Sequence, residues 1–295
     1  MATHIQGGRA SGEAAYNARA AVPGYRDIFG RWARDSLAVR EQVELRGRGR
    51  FDVAYGGRVS ETLDLFLPEH SPLGTLMYIH GGYWSSLDKT DASLVAPAFN
   101  EAGYAVAVVN YALCPRVRIE FIVAQMRAAA AWLYARSPDW GADSDRLFVS
   151  GHSAGAHLAA CLLGTDWPRE QPGLPANMVA GAVCVSGLYD LRPLLDVPSV
   201  MRMTRLTPEG AERVSPALWR PSSGSRLLTG LGMDENPGFQ EQTAIIAQSW
   251  SRRHVGNVLC ADHDHFTILD ELTRRDGKIF QAALQFMSSC DRPTS

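Results

Sequence analysis

One stretch constrains this chain more than any other: Leu147-Phe148-Val149-Ser150-Gly151-His152-Ser153-Ala154-Gly155-Ala156-His157-Leu158-Ala159-Ala160. A short apolar run enters Gly-x-Ser-x-Gly, and an alanine-rich helical pattern leaves it. Strand, then serine, then helix is the sequence form of a nucleophile elbow, a sharp turn that lifts a serine hydroxyl above a sheet. Gly151 and Gly155 carry no Cβ, so strand and helix can approach closely while Ser153 takes a strained backbone conformation. The helix beginning at the serine also turns backbone N–H groups toward the reacting position, which favours developing negative charge. Gly-x-Ser-x-Gly alone arises by chance; its strand–turn–helix setting is what points to catalysis. A base, an acid and an oxyanion hole must then come from elsewhere in the chain.

Around the elbow, apolar runs of strand length alternate with helical patterns. Residues 51–55 and 62–67 flank Gly56-Gly57 and read as a hairpin. Residues 75–79 lead into His80-Gly81-Gly82-Tyr83-Trp84, and 105–110 follow a helical 91–100. Residues 121–136 form a helix with Ile122, Met126, Ala129 and Leu133 on one side. Strands over 179–186, 225–231 and 255–261 and helices over 240–250 and 278–287 complete the series. Strands without polar alternation are buried on both faces, so the chain is expected to be α/β, with a mostly parallel sheet covered by helices on both sides. No repeat or linker divides it. Residues 1–15, rich in Gly, Ala and polar side chains, are expected to be disordered, leaving 16–290 as one domain. A helical stretch runs from Tyr16 to Leu45, broken at Pro23-Gly24, with Ile28, Trp32, Ser36 and Val39 on one face. These N-terminal helices and the proline-rich 192–221 segment are expected to form a small lid.

Composition excludes several classes of function. A formal charge of −2 gives no reason to expect nucleic acid or a charged membrane surface as partner. No apolar run approaches the roughly 20 residues of a membrane span, and the N-terminus has no secretory apolar core. The five cysteines are scattered without a Cys-x-x-Cys, so neither disulfides nor zinc is expected. The expectation is a cytoplasmic protein acting on a small molecule, with a homodimer left open.

A serine hydroxyl is a poor nucleophile until a base takes its proton. In hydrolases with this elbow the acid and then the base follow the serine in the chain. Asp262-His263-Asp264-His265-Phe266 lies just past the last strand, and either histidine could be the base by position. The same residues could ligate a metal, but no second ligand cluster accompanies them, so none is expected. The acid should follow the preceding strand, where Asp234-Glu235 occurs, and spacing does not choose between the two. The oxyanion hole should take one N–H from Ala154 and others from Gly82 and Tyr83. Tyr83 and Trp84 then begin an aromatic wall for the substrate. His152 and His157 flank the elbow as packing or hydrogen-bonding residues.

Taken together, His80-Gly81-Gly82-Tyr83-Trp84, Gly151-His152-Ser153-Ala154-Gly155-Ala156-His157 and Asp264-His265-Phe266 resemble the kynurenine formamidase (arylformamidase) branch of the α/β-hydrolases. The similarity runs from Tyr16-Asn17-Ala18-Arg19-Ala20 through Thr62-Leu63-Asp64-Leu65-Phe66 and Ser186-Gly187-Leu188-Tyr189-Asp190-Leu191 to the final helix. His-Gly-Gly-Tyr-Trp is narrower than the general esterase loop, which usually has a third glycine. The resemblance implies an α/β-hydrolase fold, with His265, immediately before Phe266, as the base. It implies Glu235, two residues before Pro237-Gly238-Phe239, as the acid where eukaryotic members have Asp, with Asp234 in reserve. The implied reaction is hydrolysis of N-formyl-L-kynurenine to L-kynurenine and formate, through a formyl-enzyme on Ser153 and with no metal or organic cofactor. A carboxylesterase, or a broader amidase or carbamate hydrolase, is the alternative, and a non-catalytic ligand-binding homologue the remote one. Fold and triad alone do not select among substrates.

Overall fold

The computed structural model describes residues 12–222 and 224–290. Its frame is one eight-stranded sheet: β1 (Gly49–Ala54), β2 (Thr62–Phe66), β3 (Thr75–Ile79), β4 (Ala105–Val109), β5 (Leu147–His152), β6 (Gly181–Val185), β7 (Leu227–Gly232) and β8 (His254–Cys260). The strand order is β1-β2-β4-β3-β5-β6-β7-β8. The β1–β2 hairpin is antiparallel, β2 runs antiparallel to β4, and every later neighbour is parallel. Every residue of β3, β4, β5, β6 and β7 is buried, which is why those runs lack polar alternation. Strands β1 and β8 lie at the two edges and alternate buried-side and exposed positions.

Three helices precede the sheet: α1 (Gly12–Tyr16), α2 (Ala18–Ala21) and α3 (Tyr25–Leu45). The crossovers contain α4 (Ala96–Glu101), α5 (Ile119–Arg136), α6 (Ala154–Leu163), α7 (Trp167–Glu170), α8 (Pro198–Thr204), α9 (Pro208–Arg213), α10 (Pro237–Ser249) and α11 (Asp270–Thr273); α12 (Lys278–Ser289) closes the fold. Among the described residues, no helix is long and apolar enough to cross a membrane.

The long helix α3 is fixed to the antiparallel end of the sheet by charge as well as packing. Asp64, fully buried in β2, accepts from Arg40 of α3, from Lys89 Nζ at 2.8 Å and from the backbone N–H of Asp52 at 2.9 Å. A buried carboxylate is tolerable only when so paired, and losing one partner would strand the other charges. Ser36, on the inner face of α3, accepts from Leu94 N at 3.1 Å.

Three elements depart from the expectations above. The helix expected over 91–100 is α-helical only in α4, after two 3-10 turns, because Pro97 belongs in a first helical turn where no N–H is needed. Disorder over 1–15 is corrected for its last four residues, which lie in α1; residues 1–11 lie outside the described residues. Helix α1 docks on α10, where Asn236 Nδ2 donates to Ala14 O at 2.9 Å. The glycine at 238 gives it room, since a Cβ there would lie 2.6 Å from Tyr16. The 192–221 segment, for which no helix was expected, holds α8 and α9.

Candidate active site

Ser153 stands between β5 and α6 with φ 57° and ψ −119°, a conformation in which a non-glycine residue is strained. The neighbouring glycines make the turn sterically feasible. A Cβ on Gly151 would lie 2.8 Å from Ile79 O, and one on Gly155 would lie 2.7 Å from His80 O. The end of β3 therefore presses directly against the elbow.

His265 lies between Ser153 and Glu235. Its Nε2 is 2.9 Å from Ser153 Oγ, and its Nδ1 is 2.7 Å from Glu235 Oε2. A carboxylate can only accept, so Nδ1 carries the proton and Nε2 faces the serine as acceptor. The other carboxylate oxygen of Glu235 accepts from Ser186 Oγ at 2.6 Å and Gly232 N at 2.8 Å. All three side chains are buried, at 3% exposure for Ser153, 4% for Glu235 and 2% for His265. They follow β5, β7 and β8 at the carboxyl ends of the strands, where parallel sheets place their ligands.

His152 holds the backbone of His265 in place. Its Nε2 donates to His265 O at 2.7 Å, and the two rings lie 4.9 Å apart. Burial, reinforced by the neighbouring His265, pushes His152 down to about 3, so it is neutral near pH 7. Phe239 also packs on the His265 ring, at 4.0 Å between centroids.

The structure brings His265 and Glu235 to the serine, and it leaves His263 and Asp234 outside. Asp234 is exposed. His263 donates from Nδ1 to Ala261 O at 2.7 Å and turns Nε2 toward Glu271 at 3.4 Å.

Backbone donors gather beside Ser153. Gly82, Tyr83 and Trp84 all have positive φ (96°, 51° and 55°), a strained run that aims the loop after β3 at the elbow. Tyr111 holds this loop by donating to His80 O at 2.9 Å and Gly81 O at 3.1 Å, with the His80 ring stacked on it at 4.2 Å. The N–H groups of Gly82, Tyr83 and Ala154 donate to no protein group among the described residues. Such donors suit an oxyanion.

These groups face a narrow cavity. Ser153, His152 and His265 meet Tyr83 and Leu87 there, and Arg19, Phe29 and Trp32 of α2 and α3 complete the lining. Tyr83 lines the cavity; its hydroxyl donates to Tyr16 O, and burial raises its phenol well above the ordinary value. Trp84 is corrected. It is fully buried, donates from Nε1 to His157 Nδ1 at 3.2 Å, and does not line the cavity. The expected lid is corrected in part: the N-terminal helices cover the cavity, whereas 192–221 contributes no lining residue. That segment braces α1 instead, with Ser199 donating to Glu13 from N at 2.6 Å and Oγ at 2.7 Å. Sequence reasoning missed Arg19 and Phe29 as pocket residues. The only signal was the apolar face of α3, on which Trp32 stood out.

The chain is similar to known hydrolases over most of its length. The family described as BD-FAE matches residues 63–181. A kynurenine formamidase of Salmo salar is 30% identical over 264 residues, covering 85% of this chain and 87% of that protein. The crystal structure of a thioesterase candidate from Silicibacter sp. TM1040 superposes with a TM-score of 0.81 at 29% identity, covering 93% of this chain and 97% of that one. A hyperthermophilic esterase from Pyrobaculum calidifontis superposes with a TM-score of 0.69 at 19% identity, covering 90% and 92% of the two chains. The strand order and the helices on both faces are those of the α/β-hydrolase fold.

Proposed function

The chain belongs to the kynurenine formamidase family of α/β-hydrolases, and we propose that it cleaves N-formyl-L-kynurenine to L-kynurenine and formate with Ser153, His265 and Glu235 as its catalytic triad. Ser153 Oγ attacks the formyl carbon while His265 Nε2 takes its proton. Glu235 holds the imidazole in the tautomer that can accept it and stabilises the imidazolium that results. The oxyanion sits on the N–H groups of Gly82, Tyr83 and Ala154. His265 then protonates the departing aryl amine, the C–N bond breaks, and formyl remains on Ser153. Water, deprotonated by His265, attacks that ester and releases formate.

One observation carries this reading: an unbroken hydrogen-bonded series from Ser153 through His265 to Glu235, at 2.9 and 2.7 Å, in a cavity that also holds uncommitted backbone donors. The Silicibacter relative favours a second reading, hydrolysis of an ester or thioester by the same groups. The discriminating measurement is kcat/KM on N-formyl-L-kynurenine and on p-nitrophenyl acetate, with Ser153→Ala as the blank. A preference for the formamide that vanishes in the variant is expected. Serine-dependent ester turnover with negligible formamide turnover would retain the triad and reject the substrate. We propose that the reaction takes place in the cytoplasm, a reading supported by five free cysteines, four of them buried.

A further inference from the structure

We propose that Arg19 and the indole N–H of Trp32 form a carboxylate-binding subsite in the active-site cavity, which selects amides whose leaving group carries a carboxylate. The choice of L-kynurenine's α-carboxylate as ligand rests on the formamidase reading above; the subsite itself does not.

Arg19 lines the same cavity as Ser153, yet no carboxylate pairs with it among the described residues. Other arginines of this region are committed: Arg31 to Asp270 and Arg40 to Asp64. Two carboxylates that, like Arg19, lie near Tyr83 are committed too. Glu13 receives Ser199 and Asn17, and Glu235 receives His265, Ser186 and Gly232. A guanidinium has five N–H donors. Arg19 gives one to Ser86 Oγ at 2.7 Å, and its plane is braced near the Tyr25 and Phe29 rings, 5.9 and 5.8 Å from their centroids. The group is positioned but not neutralised.

Trp32 supplies an independent observation. It lines the cavity at 3% exposure, and its Nε1–H is buried without a partner. Buried indole N–H groups usually find an acceptor. An unneutralised fork and an unclaimed indole N–H, on two side chains that line one cavity, match a planar acceptor with two oxygens, and a carboxylate is that group. In N-formyl-L-kynurenine the carboxylate belongs to the departing amine, so this contact leaves the formyl group free to meet Ser153.

The test compares kcat/KM for N-formyl-L-kynurenine with that for 2-formamidoacetophenone, which keeps the aryl ketone and lacks the amino-acid end. Arg19→Gln should lower the ratio of the two about 10- to 100-fold, mainly through KM, because the contact is present in ground and transition states alike. Arg19→Lys, which keeps the charge and loses the fork, should lower it less than about tenfold. Trp32→Phe removes only the N–H and should lower it roughly threefold to tenfold. A ratio within twofold of wild type in both Arg19→Gln and Trp32→Phe would overturn the proposal. So would an equal fall on both substrates in both Arg19 variants, which is the result of a purely structural tether to Ser86. If the wild type cleaves esters and not formamides, 3-acetoxybenzoate against phenyl acetate poses the same question. Rejection of the substrate and rejection of the subsite are therefore read separately.

Discussion

Replacing Glu235 by Gln isolates the electrostatic part of the proposed triad from its structural part. The two carboxylate oxygens have different duties: Oε1 accepts from Ser186 Oγ and Gly232 N, and Oε2 accepts from His265 Nδ1. The Gly232 N–H is a fixed backbone donor, so the amide oxygen of Gln must stay on that side. Its NH2 group then faces His265, where two donors cannot share one bond. The imidazole escapes by moving its proton to Nε2, the nitrogen that must accept from Ser153. A wrong tautomer of this kind lowers kcat by about 10³- to 10⁴-fold in a serine triad, or roughly 4–5.5 kcal/mol of barrier. Stability should change much less, because both bonds to Oε1 survive. Glu235→Ala would by contrast leave Gly232 N and Ser186 Oγ buried and unsatisfied, at about 1–3 kcal/mol each. The assay is kcat on the best formamide or ester, run beside a urea unfolding curve for each variant. Asp234→Asn, at an exposed position, should stay within about threefold of wild type, as surface changes usually do. A Gln variant that keeps more than about a tenth of kcat, or an Asp234→Asn variant that falls as far, would refute the reasoning.

Trp84→Phe removes the bond to His157 Nδ1 and should cost about 1–3 kcal/mol in urea unfolding while kcat/KM stays within about threefold; a large rise in KM would return Trp84 to the pocket. Gly155→Ala places a Cβ 2.7 Å from His80 O and should destabilise by about 3 kcal/mol or more; a melting temperature unchanged from wild type would count against the close approach. Burial holds His152 down to about 3 and His157 to about 4, against an ordinary 6.5, so between those values the unfolded chain binds protons that the folded chain does not. Stability should therefore fall as pH drops below 6.5, by about 1.4 kcal/mol per unit for each histidine. His157→Gln should lose roughly 2 kcal/mol less than wild type between pH 7 and pH 5, and equal losses in urea titrations would reject the assignment.

What the sequence made legible was local. The elbow could be read because its constraint lies within five residues: two glycines, a serine, a strand before and a helix after. The buried strands could be read because each is covered on both faces and so carries no alternation. The choice between Asp234 and Glu235 lay beyond local reading, because it is made by Gly232 N and by Ser186 at the end of β6, 49 residues away in the chain. Trp84 was misplaced for a related reason. Its motif brings it beside the oxyanion loop, but only the Tyr83 ring lines the cavity, while the Trp84 ring, edge-on to it at 6.1 Å, lies in the core.

The cover of the cavity was the least legible part, and the reason bears on specificity. Helices α1 and α2 are too short to persist alone; contacts with residues 222 and 186 positions distant, Asn236 and Ser199, hold α1 down. The proposed nucleophile, base, acid and oxyanion donors are held by the sheet and by strained backbone, which depend little on what the substrate is. Arg19, Phe29 and Trp32 come from the docked N-terminal helices. The same chemistry can therefore serve formamides or esters, while the choice between them falls to a segment that can change without disturbing the triad. Substitutions on α2 and α3 should accordingly alter which substrate is preferred, and substitutions at the strand ends should alter whether any is cleaved.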